Sequence, residues 1–117
     1  MTRFENGILE YLAKNYPDTA LKEQCNLAKV TSRKNTGVGC YSEIEIVGSA
    51  SATKEVYGSS GSLDGPLFNA SNLKHGGGVL IWFESGFIKT IDIYTYDDIF
   101  PINHDELGKV NFYEKDL

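Results

Sequence analysis

The stretch Val79-Leu80-Ile81-Trp82-Phe83-Glu84-Ser85-Gly86-Phe87-Ile88-Lys89-Thr90-Ile91-Asp92-Ile93-Tyr94-Thr95-Tyr96 decides the fold. Its first five residues are apolar on both faces, the mark of a central, covered strand. Ser85-Gly86 then turns the chain, with Gly86 free to take positive φ, and the return strand begins at Phe87. A regular two-residue hairpin sets Phe83 opposite Ile88, Trp82 opposite Lys89, Ile81 opposite Thr90 and Leu80 opposite Ile91. One face of the hairpin then carries Leu80, Trp82, Ile91 and Ile93. The other carries Val79, Ile81, Phe83 and Ile88, with Asp92, Tyr94 and Tyr96 toward its far end.

Upstream of the hairpin the periodicity is first helical and then alternating. Thr2-Arg3-Phe4-Glu5 fits a capping box, a hydroxyl for a first-turn N–H with a carboxylate three residues on. Phe4, Ile8, Tyr11 and Leu12 follow on one stripe. Gly7 weakens such a helix by roughly 1 kcal/mol, so the stripe must pack on something to persist. Pro17 ends this helix near Asn15. Asp18 or Thr19 caps a second helix whose face is Leu21, Gln24, Cys25 and Ala28.

From Lys29 the period shortens to two. Val30-Thr31-Ser32-Arg33 reads as a strand and Asn35-Thr36-Gly37 as a turn. Val38, Cys40, Ile44 and Ile46 form an inward face interrupted by Ser42, with Tyr41, Glu43 and Glu45 outward. Gly58-Ser59-Ser60-Gly61-Ser62 reads as a loop, with short strands expected over Thr53 to Tyr57 and around Leu67 to Ser71. The expected architecture is α+β: two N-terminal helices packed on one face of an antiparallel sheet of four to five strands, the other face partly open.

Length and composition fit this. At 117 residues the chain makes one domain, residues 1 to 117, and 41% hydrophobic with 23% charged residues is the balance of a folded protein. No apolar run is long enough to span a membrane. Glu5 and Glu10 fall too early for the apolar core of a secretory signal. Cys25 and Cys40 have no metal-type spacing and give no disulfide scaffold, so a cytoplasmic protein with two reduced thiols is expected.

The net charge of −5 is unevenly spread. Residues 1–34 hold six Lys and Arg against four Asp and Glu, whereas residues 35–117 hold five against twelve. The acidic part disfavours nucleic acid as a partner, because phosphate binding needs a positive face. It suits a basic protein partner, steered by charge.

No motif for catalysis or for a cofactor stands out. His75-Gly76-Gly77-Gly78 precedes a strand, lacks a P-loop lysine and opens no helix, so it reads as close backbone packing at a strand entry. Asn69-Ala70-Ser71 matches a glycosylation acceptor, relevant only in a secreted eukaryotic protein. His104 lies in a polar loop and is expected to be exposed and unperturbed. Asp97, Asp98, His104 and Asp105 could together ligate a divalent ion, but they follow no established spacing. The richest cluster is Asp92-Ile93-Tyr94-Thr95-Tyr96-Asp97-Asp98. Tyrosine beside carboxylate suits protein recognition, the ring giving area, the phenol a hydrogen bond and the acid a charge for Arg or Lys. With Asp105 and Glu106 nearby, the candidate partner-binding residues are Asp92, Tyr94, Tyr96, Asp97, Asp98, Asp105 and Glu106.

Several stretches together resemble a group of short bacterial proteins. They are Asn15-Tyr16-Pro17, Leu27-Ala28-Lys29-Val30-Thr31-Ser32-Arg33, Thr36-Gly37-Val38-Gly39-Cys40-Tyr41, the run from His75 to Phe83, Ser85-Gly86-Phe87-Ile88 and Ile93-Tyr94-Thr95-Tyr96-Asp97-Asp98. Asp92 stands where that group carries an acidic residue before its hydrophobic-Tyr-Thr-Tyr-Asp ending. Proteins of this look resemble the immunity partners of bacterial polymorphic toxins, including contact-dependent growth-inhibition systems.

The resemblance covers residues 10 to 101. It implies a monomeric cytoplasmic immunity protein without cofactor, metal or catalytic activity. Such a protein blocks the C-terminal domain of a cognate toxin, a basic nuclease acting on tRNA or DNA, by occluding its active site. Two other readings stand beside it. One is a ligand-binding or enzymatic domain using a cavity between helices and sheet, with Tyr41, His75 and Asp92 converging on it. The other is a structural domain that oligomerises through its sheet.

Overall fold

The computed structural model describes residues 1–53 and 61–114. The expected strand over Thr53 to Tyr57 and the expected loop from Gly58 therefore fall largely outside the described residues. Helix α1, Arg3–Asn15, begins with the capping box read from the sequence, Thr2 accepting from the Glu5 amide and Glu5 from the Thr2 amide. Helix α2, Thr19–Leu27, is capped by Asp18, whose side chain accepts from the Leu21 amide. Both helices pack against an antiparallel sheet, giving the α+β architecture. Among the described residues the sheet has six strands rather than four to five: β1 Ala28–Asn35, β2 Gly39–Ile46, β3 Ser62–Ala70, β4 Gly77–Glu84, β5 Phe87–Thr95 and β6 Val110–Tyr113. Their order is β1-β2-β5-β4-β3-β6. The unforeseen strand is β6, whose four residues are too few for an alternating pattern to stand out.

The hairpin is present, but its register differs from the regular one. Ser85 and Gly86 both take positive φ, 53° and 84°, as a type I′ turn requires. Phe83 does face Ile88, after which β5 carries one extra residue: Trp82 pairs with Thr90, Ile81 with Ile91 and Leu80 with Asp92. Lys89 is the insertion, a β-bulge, and it reverses the facing of everything beyond it. Val79, Ile81, Ile88, Ile91 and Ile93 all point into the core, none more than 2% exposed. Leu80 and Trp82 share the opposite face with Thr90, Asp92 and Tyr94. A regular hairpin would have turned Ile91 and Ile93 away from the other three and buried Asp92. Burying a side chain of isoleucine size is worth roughly 1.5–3 kcal/mol, so the core side dictates the bulge. Val38, expected inward, is 59% exposed because it belongs to the β1–β2 turn and β2 starts only at Gly39.

Two buried polar side chains fasten the helices. Glu5, fully buried, accepts from Arg33 (Nη2–Oε1 2.6 Å and Nε–Oε2 2.8 Å) and from the Ser42 hydroxyl (2.6 Å). This explains Ser42 in an otherwise apolar row: it satisfies the helix carboxylate. Burial alone would raise the Glu5 carboxyl, but the bonds from Arg33, Ser42 and the Thr2 amide outweigh it and hold the group at about 2, against an ordinary 4.5. Gln24 is also fully buried. Its amide donates to the Ser51 and Gly86 carbonyls and its carbonyl accepts from the Ile88 amide, each at 2.9 Å. It clamps α2 to the hairpin turn. Gly7 lets α1 approach β6, since a Cβ there would stand 2.7 Å from the Phe112 ring.

Two outcomes follow from these buried groups. Because the folded Glu5 pKa is depressed, its contribution of roughly 3 kcal/mol is complete above pH 4.5 and is lost as pH falls toward 2. Urea unfolding followed between pH 7 and 2.5 is expected to show that loss, and Glu5→Gln, less stable at pH 7, is expected to flatten it. An equally steep profile in the variant would refute the assignment. Gln24→Ala leaves the buried Ile88 amide without its acceptor and is expected to cost about 2–4 kcal/mol in the same assay; less than about 0.5 kcal/mol would show that the clamp is dispensable.

Candidate functional site

The helices cover one face of the sheet, and the opposite face is read row by row from the strand pairing. One row is Lys34, Tyr41, Asp92, Leu80, Asp64, crossing β1, β2, β5, β4 and β3. The next is Ser32, Glu43, Thr90, Trp82, Ser62. The third is Gly39, Tyr94, Gly78, Leu67, Tyr113. Aromatic rings and carboxylates are thus interspersed across the open face, and Lys29 and Lys34 stand on the marginal strand β1.

Neighbouring side chains hold these acids in place. Asp92 Oδ2 accepts from the Trp82 indole N–H at 3.1 Å. Glu43 accepts from the Thr90 hydroxyl at 3.1 Å. Neither Glu43, Asp64 nor Asp92 forms an ion pair with a described residue; the close pair is the buried Glu5–Arg33 on the helix side. Gly78 leaves room for the Tyr94 ring, since a Cβ there would overlap the tyrosine hydroxyl. Burial and a hydrogen bond with Tyr96 push the Tyr94 phenol up to about 12, with the charges of Tyr96, Asp64 and Asp92 adding to the rise. Tyr94 is therefore a neutral phenol throughout the physiological range.

The candidates from the sequence do not form one cluster. Asp92 and Tyr94 lie on the open face. Tyr96 meets Tyr94 edge-to-face, ring centroids 5.8 Å apart, and is 45% exposed. Asp97 follows at positive φ, exposed in the turn leaving the sheet. Exposed Val38 and Ile99 flank this sheet end, where the Phe100 amide bonds the Gly37 carbonyl at 2.8 Å.

Asp98 has another role. Its carboxylate accepts from the Lys74 amide (3.0 Å) and the His75 amide (2.8 Å) and staples the entry to β4. The His75 bond is the main cause of its lowered pKa. Asp105 and Glu106 sit in a 3₁₀ turn, His104–Leu107, which packs on α1 in the helix layer, away from the open face. Sequence reasoning placed Tyr41 and Glu43 outward, joined Tyr41 to Asp92 only across a helix–sheet cavity and left Glu43 apart, and Trp82 and Asp64 went unrecognised. The missing signal was the bulge, which alone puts Trp82 and Asp92 side by side.

His104 corrects an expectation. It is buried, its Nδ1 shares a 2.9 Å hydrogen bond with the Thr2 hydroxyl, and its ring packs edge-on against both Phe4 and Phe100. Burial lowers its pKa. It cannot join Asp97, Asp98 and Asp105 around an ion, and no group of three potential ligands is found among the described residues. Both cysteines are free thiols, Cys25 pushed up to about 12 by burial. The space between helices and sheet is filled by side chains such as Ile8, Leu12, Leu21, Phe68 and Ile81. Tyr41 and Asp92 face away from it and His75 is exposed in the loop before β4, so the three do not converge on a helix–sheet cavity. A groove of about 970 Å³ runs outside, between α1 and β6, with Arg3, Glu10, Lys14, Asp105 and Lys109 on its walls.

No protein-family model matches the chain, and no curated protein or solved structure is recognisably similar to it.

Asp98→Ala removes the acceptor of two loop amides. Hydrogen exchange at the Lys74 and His75 amides is expected to accelerate at least tenfold, with exchange in β5 unchanged; unchanged rates at those two amides would contradict the staple.

Proposed function

We propose that this protein is a stoichiometric inhibitor that docks the open face of its sheet on a basic protein, and that the partner is the C-terminal nuclease domain of a bacterial toxin. The observation that carries this reading is the sheet face that no described helix covers, where Glu43, Asp64 and Asp92 stand without an ion pair to a described residue, among Tyr41, Trp82 and Tyr94. A nuclease must be positive where it holds phosphate. An acidic surface on a six-stranded sheet suits such a site: it steers encounter by charge, and its aromatic rings supply apolar area once water is expelled. Tyr96, Asp97, Val38 and Ile99 extend this surface over the sheet end, adding apolar contact beside the charge. Immunity to a toxin of the contact-dependent growth-inhibition kind is the biological setting in which a small acidic inhibitor of this sort serves, in line with the sequence resemblance of residues 10 to 101.

The test is co-expression with the C-terminal domain encoded by the gene immediately upstream. Restored growth and a stable complex are expected. Glu43→Lys with Asp92→Lys, shown folded by circular dichroism, is expected to lose at least tenfold in affinity, with slower association at low salt. Absence of both rescue and complex with the wild-type chain would refute the proposal.

A further inference from the structure

Resting on the proposed docking face, we infer that its centre is a seat for an arginine side chain of the partner, built by Trp82, Asp92, Glu43 and Tyr41. The partner is therefore one that presents arginine, rather than any basic surface.

Tyr41 and Asp92 are direct cross-strand partners, as are Glu43 and Thr90, and Thr90 pairs onward with Trp82. Glu43 is thus the diagonal neighbour of Asp92, at a spacing of about 7–8 Å between backbones that longer side chains bridge. The Trp82 indole uses one Asp92 oxygen at 3.1 Å, and no described residue donates to the other. The Thr90 hydroxyl touches both Glu43 oxygens, at 3.1 and 3.3 Å, and no other described donor reaches them. Two carboxylates are therefore oriented by neighbours yet keep acceptor capacity on the open side, where Tyr41 is 41% exposed beside them.

A guanidinium matches this set and an ammonium matches it less well. Its planar fork can bond two carboxylates at once while its face lies on an indole or phenol ring. Lysine offers a compact, strongly hydrated charge and no plane to stack. The attraction of a cation for a Trp or Tyr face adds to the charge pairing. The lysine of the same row, Lys34, lies on the far side of Tyr41 from Asp92, on β1.

Trp82 is the single tryptophan of the chain, so emission excited at the red edge, where the tyrosines scarcely absorb, reports on this seat. The experiment titrates the full chain with a nona-arginine peptide and with a nona-lysine peptide at one ionic strength. Saturable change of the Trp82 emission is expected with nona-arginine, and at least fivefold weaker binding with nona-lysine. Asp92→Asn with Glu43→Gln is expected to weaken nona-arginine binding about tenfold. Asp105→Asn with Glu106→Gln, which removes the same charge from the helix layer, is expected to change it less than twofold. Equal affinity for both peptides, or equal loss in both double variants, would overturn the seat and leave only general charge attraction. Both pairs keep their side-chain volume, and matching far-ultraviolet spectra establish that each variant is folded.

Failure here is distinguishable from failure of the proposed function. If the upstream domain is bound and neutralised while the arginine preference is missing, the seat alone is refuted. If the preference holds and no toxin domain is neutralised, the immunity reading alone is refuted.

Discussion

At Lys89 the pairing of β4 and β5 gains one residue on β5, and the sorting of side chains between the two faces of the sheet depends on that insertion. Before it, Ile88 faces the helices; after it, Ile91 and Ile93 do the same, although a regular strand would alternate Ile88 and Ile91 to opposite sides. The core demands this. Val79, Ile81, Ile88, Ile91 and Ile93 are buried together, and moving two of them to the other face would forfeit several kcal/mol, on the order of 3–6. The same insertion brings Asp92 and Tyr94 out beside Leu80 and Trp82. An apolar requirement on one side of the sheet thus composes the polar surface on the other.

The open face stays open because the helices are committed elsewhere. Glu5 ties α1 to β1 and β2 through Arg33 and Ser42, and Gln24 ties α2 to the hairpin turn. Each is a buried polar group whose removal leaves unmet partners behind, so each fixes one arrangement of helix on sheet. The acids fall into two populations as a result. Glu5 is spent inside the fold, paired and held at about 2, whereas Glu43, Asp64 and Asp92 face outward with no such pairing to a described residue.

Much of this was legible in the residues. The capping box, Pro17, the Ser85-Gly86 turn and the outward side of β2 lead directly to two helices and an antiparallel sheet. The run of glycines at 76–78 reads correctly as close packing, because the Tyr94 ring needs the space above Gly78. What was hidden depended on partners distant in sequence. Ser42 looked like a flaw in an apolar row until the Glu5 carboxylate arrived from α1. His104 looked exposed in a polar loop until Phe4, Phe100 and the Thr2 hydroxyl closed around it. Asp98 looked like part of a recognition cluster and instead holds two amides of a loop more than twenty residues away. The three-residue step from Ile88 to Ile91 was the one local sign of the bulge, and without it Trp82 and Asp92 could not be placed together.

The proposed docking surface is the face of the sheet opposite the helices. Amide chemical-shift mapping of the isotopically labelled chain, titrated with the proposed toxin partner, tests it most directly. Perturbations are expected at residues 39–43, 78–82 and 90–97, with α1 and the 3₁₀ turn unmoved. Perturbations concentrated on α1, Asp105 and Glu106, with the Tyr41, Trp82 and Asp92 amides unchanged, would contradict it.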